Sequence, residues 1–170
     1  MASETVYIGL GSNLGDRESF LNGAIAHLSN VPGLEITAAS SIYISQPQDM
    51  ADDSPSFLNQ VVRAEFAFTP GELLHAVENI ESELGRTDKG ARRARTIDID
   101  LLMFGERRIK TDLLEIPHPR LLRRSFVLVP LLEIDSSLIH PITGKRLAEY
   151  VTSTAAIKLE VHTDHVTREI

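Results

Sequence analysis

Apolar and polar positions along the chain follow two alternating periods. Thr5 to Gly11 reads as an opening strand, and Leu14 to Leu28 carries Leu14, Leu21, Ala24, Ile25 and Leu28 at helical spacing, with Asp16 placed to cap the first turn. Leu34 to Ser45 and Phe57 to Phe68 are rich in β-branched and aromatic residues and predict two strands. Between them Gln46 to Ser56 is polar and holds Pro47 and Pro55, which predicts a long loop. Thr69, Pro70 and Glu72 combine an N-cap, a first-turn proline and a capping-box acid. The helix they open runs through Leu73, Leu74, Val77, Ile80 and Leu84 and closes at Gly85. Thr96 to Phe104 predicts a further strand, Gly105 turns it, and Arg107 to Lys110 is expected to return as its short hairpin partner. Arg124 to Ile134 predicts a helix in which Pro130 either introduces a kink or marks the start. The order β-α-β-β-α-β matches an α+β, ferredoxin-like sandwich: a mostly antiparallel sheet with helices packed on it.

With 170 residues, 42% of them hydrophobic, the chain can bury one core, and residues 1–170 are read as a single domain. No cysteine is present, so disulfides, thiolate chemistry and thiolate-bound zinc are excluded. Met1 to Thr5 lacks a basic region followed by an apolar run, and no stretch of 18 apolar residues occurs. The expectation is therefore a cytoplasmic protein without a membrane partner.

Charge changes the picture. Eleven of the 17 Lys and Arg residues lie between Arg86 and Arg124, against six acids, so this segment carries +5 while the rest of the chain sums to −12. Acidic flanks would repel a long phosphate backbone, which argues against nucleic acid. A compact polyphosphate with Mg²⁺ suits the segment better, because Mg²⁺ binds through one or two carboxylates plus substrate phosphates while Arg and Lys neutralise the remaining oxygens. Arg95-Thr96-Ile97-Asp98-Ile99-Asp100 lies within it. Strict alternation sends both carboxylates to one face of a strand, about 7 Å apart, and Ile97, Ile99 and Leu101 to the other. Two such carboxylates need solvent, a basic partner or divalent cations.

The run Gly9, Gly11 and Gly15 has the spacing G-x-G-x-x-x-G, which fits neither a dinucleotide fingerprint nor a P-loop. A tight strand-to-helix turn is the simpler reading, with Ser12 and Asn13 able to line a small polar pocket.

Four ordered blocks resemble the 6-hydroxymethyl-7,8-dihydropterin pyrophosphokinases of folate biosynthesis. They are Tyr7 to Gly15, Phe57 to Val61, Arg95 to Leu102, and Pro117-His118-Pro119-Arg120 followed by Arg124 to Leu128. The resemblance implies transfer of pyrophosphate from ATP to the pterin hydroxymethyl group, with two Mg²⁺ ions held by Asp98 and Asp100. It makes Asp100 a candidate general base, although the sequence alone does not separate it from Asp98. Arg86 and Arg95 correspond to a pair of phosphate-facing arginines, His118 to a triphosphate contact, and Arg124 and Lys110 to the nucleotide side. Phe57 and Phe126 match the two aromatic faces that sandwich the pterin, Asn59 an amide reading its edge, and Ser45 and Gln46 the neighbouring substrate contacts. Glu81 resembles a family acid that buttresses the arginines; the alternative is an exposed charge on a helix face.

Two departures stand out. Arg92-Arg93-Ala94 replaces the usual aromatic-Gly-Pro run before the motif arginine, and Ser45-Gln46-Pro47 replaces Thr-x-Pro. Gln46 to Ser56 and Thr87 to Ala94 are the candidate loops for sealing the site once ATP and Mg²⁺ have bound. Two rival readings are a non-catalytic nucleotide-binding module on the same fold and a nucleotidyltransferase using the Asp-x-Asp pair. A monomer is expected.

Overall fold

The computed structural model describes residues 2–46, 56–85 and 96–151, together with the backbone of 160–161. Strand β1 (Glu4–Ser12) lies at the centre of the sheet, antiparallel to β4 (Phe57–Phe66) on one side and to β5 (Asp98–Phe104) on the other. Beyond β4 lie β2 (Leu34–Ala39) and β3 (Tyr43–Ser45), which pair with successive parts of it, and β8 (Glu160–Val161) extends the sheet from β3. Helix α1 (Arg17–Ser29) follows β1, and α2 (Pro70–Glu83) connects β4 to β5. This is the expected ferredoxin-like α+β arrangement.

Local chemistry accounts for the helix ends. Asp16 accepts from the Ser19 N–H at the start of α1. The Thr69–Glu72 capping box opens α2, with Pro70 in its first turn, and Gly85 follows the C-cap at φ 91°, where a Cβ would be strained. The span from Leu34 to Ser45 is two strands rather than one. Ser40 interrupts it: its N–H donates to the Val61 carbonyl and its hydroxyl accepts from the Val61 N–H, so a side chain substitutes for one rung of the ladder.

Alternation along the strands gives the sheet two different faces. Val6, Ile8 and Leu10 of β1, Val62, Ala64 and Phe66 of β4, and Ile99 and Leu101 of β5 pack against Leu21, Ala24 and Leu28 of α1 and Leu73, Val77 and Ile80 of α2. On the opposite face Tyr7, Val61, Leu102 and Met103 meet α3 (Ser125–Ile134), a 3₁₀ turn (Leu121–Arg123) and Leu147, just before α4 (Ala148–Val151). A bulge makes this possible: Tyr7 pairs with Met103 but Ile8 with Leu101, so Leu102 is the extra residue and both Leu102 and Met103 reach the α3 side. Pro130 lies inside α3, not at its start, and removes the donor that would have met the Phe126 carbonyl.

The expected hairpin between Arg107–Lys110 and β5 does not form. Residues Ile109–Lys110 (β6) pair instead with Glu115–Ile116 (β7) in a separate two-stranded sheet. Thr111 closes that turn, its hydroxyl accepting from the Leu113 and Leu114 N–H groups. The outer edge of β5 is covered otherwise: the Ile99 N–H donates to Glu81 at 3.1 Å and the Leu102 carbonyl accepts from the His118 N–H at 2.9 Å.

Candidate active site

A cleft of about 370 Å³ opens on the α3 face of the sheet, at the end of β5 where α3 does not cover it. Its floor is β1. Register places Gly11 between Asn59 and Asp98, and Gly9 between Val61 and Asp100, in adjacent rows across three strands. Both glycines lie within β1, as the strand read from Thr5 to Gly11 has them, and the turn into α1 follows Ser12, with Gly15 at φ 72°. A Cβ on Gly11 would stand 3.5 Å from Asn59 Oδ1 and 3.6 Å from the Phe57 ring, and one on Gly9 3.4 Å from Leu102. Missing side chains therefore make the slot. The backbone there forms a flat floor with an amide and an aromatic ring on one side and two carboxylates on the other.

On the amide side, Asn59 is 5% exposed and its Nδ2 donates to Ser45 Oγ at 2.7 Å. With its donors so engaged, Asn59 presents Oδ1 over Gly11 as an acceptor. Ser45 and Gln46 at the end of β3, Phe57 at the start of β4 and Phe126 in the first turn of α3 complete this wall.

On the carboxylate side, Asp98 and Asp100 share the cleft face of β5, as the alternation required. Arg124 Nη1 lies 3.9 Å from Asp100 Oδ2, and its guanidinium sits over the Phe126 ring at 5.4 Å, so one side chain joins the acidic pair to the aromatic wall. His118 Nε2 is 3.9 Å from the other Asp100 oxygen, a contact and not a hydrogen bond. Burial, aided by the Arg124 and Arg120 charges, lowers the His118 pKa to about 4. Neutral at pH 7, the imidazole accepts the Arg120 N–H on Nδ1 and keeps its proton on Nε2, facing the acid.

Glu81 is not an exposed charge. It is 3% exposed in α2, and its carboxylate holds the N–H of Ile99, the residue between the two aspartates. Arg120 and Arg123, to which no role was assigned from sequence, also line the cleft, giving three guanidinium groups to two carboxylates with Arg124. Lys110 is not among the lining residues; it stands exposed on β6. Arg86 and Arg95, the Arg92-Arg93-Ala94 departure and most of both candidate sealing loops lie outside the described residues. Ser12 and Asn13 are fully buried.

The donor set fits Mg²⁺ of one kind. Among the described residues there is no group of three or more His, Asp or Glu side chains that would cage a metal. Two neighbouring carboxylates beside a basic cleft suit an oxygen-ligated ion whose shell is completed by substrate phosphates.

A sheet with α1 and α2 on one face and, beside α3 on the other, a polar cleft holding an acidic pair among arginines is an arrangement suited to a transferase that handles phosphates. Residues 7–136 match the family model of 7,8-dihydro-6-hydroxymethylpterin-pyrophosphokinase. The 2-amino-4-hydroxy-6-hydroxymethyldihydropteridine pyrophosphokinase of Aquifex aeolicus is 42% identical over 146 residues, covering 86% of this chain and 89% of that protein. Its Bacillus subtilis counterpart is 44% identical over 128 residues, covering 75% and 76%. The folic acid synthesis protein fol1 of Pneumocystis carinii is 43% identical over 148 residues, but this chain spans only 20% of its length. Among solved structures, a Plasmodium falciparum HPPK-DHPS with pteroate superposes with a TM-score of 0.69 at 15% identity, over 89% of this chain and 42% of that one, a likeness of fold. The chain belongs to the 7,8-dihydro-6-hydroxymethylpterin-pyrophosphokinase family, whose reaction is the pterin pyrophosphokinase step of folate biosynthesis. No helix among the described residues is long and apolar enough to cross a membrane.

Proposed function

We propose that this chain transfers pyrophosphate from ATP to the hydroxymethyl group of 6-hydroxymethyl-7,8-dihydropterin, giving AMP and the pterin diphosphate, and that the cleft on β1 is where it does so. One observation carries the reading. Across the side-chain-free rows of Gly9 and Gly11, a ring-sized slot with an amide acceptor abuts a pair of carboxylates on the next strand.

Phe57 and Phe126 flank the pterin ring, and Asn59 Oδ1 accepts from N–H groups on its edge, with Ser45 and Gln46 beside them. Arg124, Arg120 and Arg123 meet phosphate oxygens, joined by Arg86 and Arg95 on the strength of the family motif. His118, neutral with its proton on Nε2, donates to the triphosphate without adding charge beside Asp100. Asp98 and Asp100 would hold Mg²⁺, two ions in this reading. When bound, the metal supplies charge neutralisation at the phosphates and a lowered pKa for the attacking hydroxyl. Asp100 is the candidate to take that proton on the strength of the family resemblance, with Arg124 and His118 beside its two oxygens to orient it. The acidic surroundings of the basic segment support a small-molecule substrate over nucleic acid, and a monomer in the cytoplasm is the expected setting.

Product analysis tests the proposal. Phosphorus NMR of the protein with ATP, Mg²⁺ and the pterin is expected to show AMP and a diphosphorylated pterin. Free pyrophosphate with a nucleotidylated pterin, or unchanged ATP, would overturn it.

A further inference from the structure

Asn59, Ser45 and Phe57 come from β3 and β4, whereas Phe126 comes from α3, so the width of the ring slot depends on how the helix sits against the sheet. Glu133 ties the two together. Its Oε1 accepts from the Ser41 N–H at 3.0 Å and the Ser41 hydroxyl at 2.6 Å, and its Oε2 accepts from the Tyr43 hydroxyl. Three donors 90 to 92 residues away in sequence thus converge on one carboxylate. Charge-assisted bonds of this kind are about twice as strong as neutral ones.

This bond set leads directly to the slot. Tyr43 is 8% exposed and pairs in register with Asn59; its carbonyl and Ser45 Oγ are both acceptors for Asn59 Nδ2. Burial and the carboxylate both raise the Tyr43 pKa, so the phenol keeps its proton and goes on donating. At the other end, Phe126 precedes Glu133 by seven residues. That is two helical turns, about 10 Å on the same side of α3. β3 is only three residues long and has few ladder bonds of its own to hold its place.

We propose that Glu133 is a positioning residue for pterin: by fixing α3 to Ser41 and Tyr43 it sets the distance between the Phe126 wall and the Asn59–Phe57 wall. It touches neither substrate nor metal site in this arrangement. The inference rests on the reading of the cleft as the pterin site.

Steady-state kinetics and calorimetry on Glu133→Ala, Glu133→Gln and Tyr43→Phe test it. Pterin binding is measured in the presence of a non-hydrolysable ATP analogue with Mg²⁺, and nucleotide binding is measured separately. For Glu133→Ala the KM for pterin is expected to rise about tenfold. Nucleotide affinity and kcat at saturating pterin should stay within about twofold of wild type. Glu133→Gln keeps an acceptor for Ser41 and should recover most of the loss. Tyr43→Phe should shift pterin affinity in the same direction, and adding it to Glu133→Ala should bring little further loss. Unchanged pterin affinity in Glu133→Ala, or parallel losses of pterin and nucleotide affinity, would overturn the inference. If Glu133→Ala does not fold, Tyr43→Phe gives the same split or its absence. A wild-type protein that binds no pterin removes the cleft reading and this inference together; a binding wild type with indifferent variants removes this inference alone.

Discussion

The same three strands present two unlike faces. Toward α1 and α2, β1 offers Val6, Ile8 and Leu10; toward the cleft it offers Gly9 and Gly11 in the intervening positions. Likewise Ile97, just before β5, and Ile99 and Leu101 within it face the helices, while Asp98 and Asp100 face the cleft. Gly9, Asp98 and Asp100 are therefore each covalently flanked by core residues. A one-residue register slip would bury the carboxylates and expose the isoleucines, so the packing on one face secures the chemistry on the other. Stability and activity should be separable by residue parity.

The largest effect should come from Asp98→Ala and Asp100→Ala. Each is expected to lower kcat by about a thousandfold or more. Circular dichroism and denaturant midpoint should stay near wild type, because these side chains are not part of the core. Near wild-type turnover in either variant would remove the proposed metal role. On the opposite face Phe66→Ala should do the reverse. Phe66 is 2% exposed and meets Phe68 and Phe104 edge to face, so its loss should cost about 3–5 kcal/mol in urea unfolding. Activity per folded molecule should be retained.

Gly11→Ala sharpens the comparison. The new methyl would meet Asn59 and Phe57 at ordinary contact distance, so folding is tolerated, yet it would stand on the floor of the slot. Pterin affinity is expected to fall about tenfold with nucleotide affinity unchanged, read by calorimetry. Unchanged pterin binding would place the ring elsewhere.

His118 gives the smallest effect. Its folded pKa of about 4 lies below the unfolded value of 6.5, so its contribution to stability is complete above pH 6.5 and is lost as pH falls toward 4. Substrate-free wild type should lose about 1–2 kcal/mol more than His118→Asn between pH 7 and 5. Parallel pH profiles in urea melts would contradict the buried neutral imidazole.

Features that depend on period were legible in the sequence, and features that depend on tertiary neighbours were not. Asp98 and Asp100 could be assigned to one face because a strand has a side-chain period of two. The α2 capping box and its Gly85 end were equally plain, since caps are local chemistry. The break at Ser40 was hidden because apolar residues continue on both sides of it, and only the Val61 backbone shows what its hydroxyl replaces. The two-residue strand Ile109–Lys110 has no period to read, and its true partner, Glu115–Ile116, is chosen by the Thr111 turn while other groups cap the edge of β5. Gly9 and Gly11 fall inside the strand read from Thr5 to Gly11, and pairing on both sides carries β1 through them; of the glycine run only Gly15 belongs to the turn into α1. Glu81 was ambiguous because a helix-face acid looks solvated until the N–H it serves is known. Arg120 and Arg123 lie in or beside a single 3₁₀ turn, too short for a pattern that would point them into the cleft.

The most direct measurement is a crystal structure of the protein with Mg²⁺, a non-hydrolysable ATP analogue and 6-hydroxymethyl-7,8-dihydropterin. The account predicts cations held by Asp98 and Asp100 between the nucleotide phosphates and the pterin hydroxyl, with the ring between Phe57 and Phe126. Cations and nucleotide bound away from these two carboxylates at saturating concentration would contradict it.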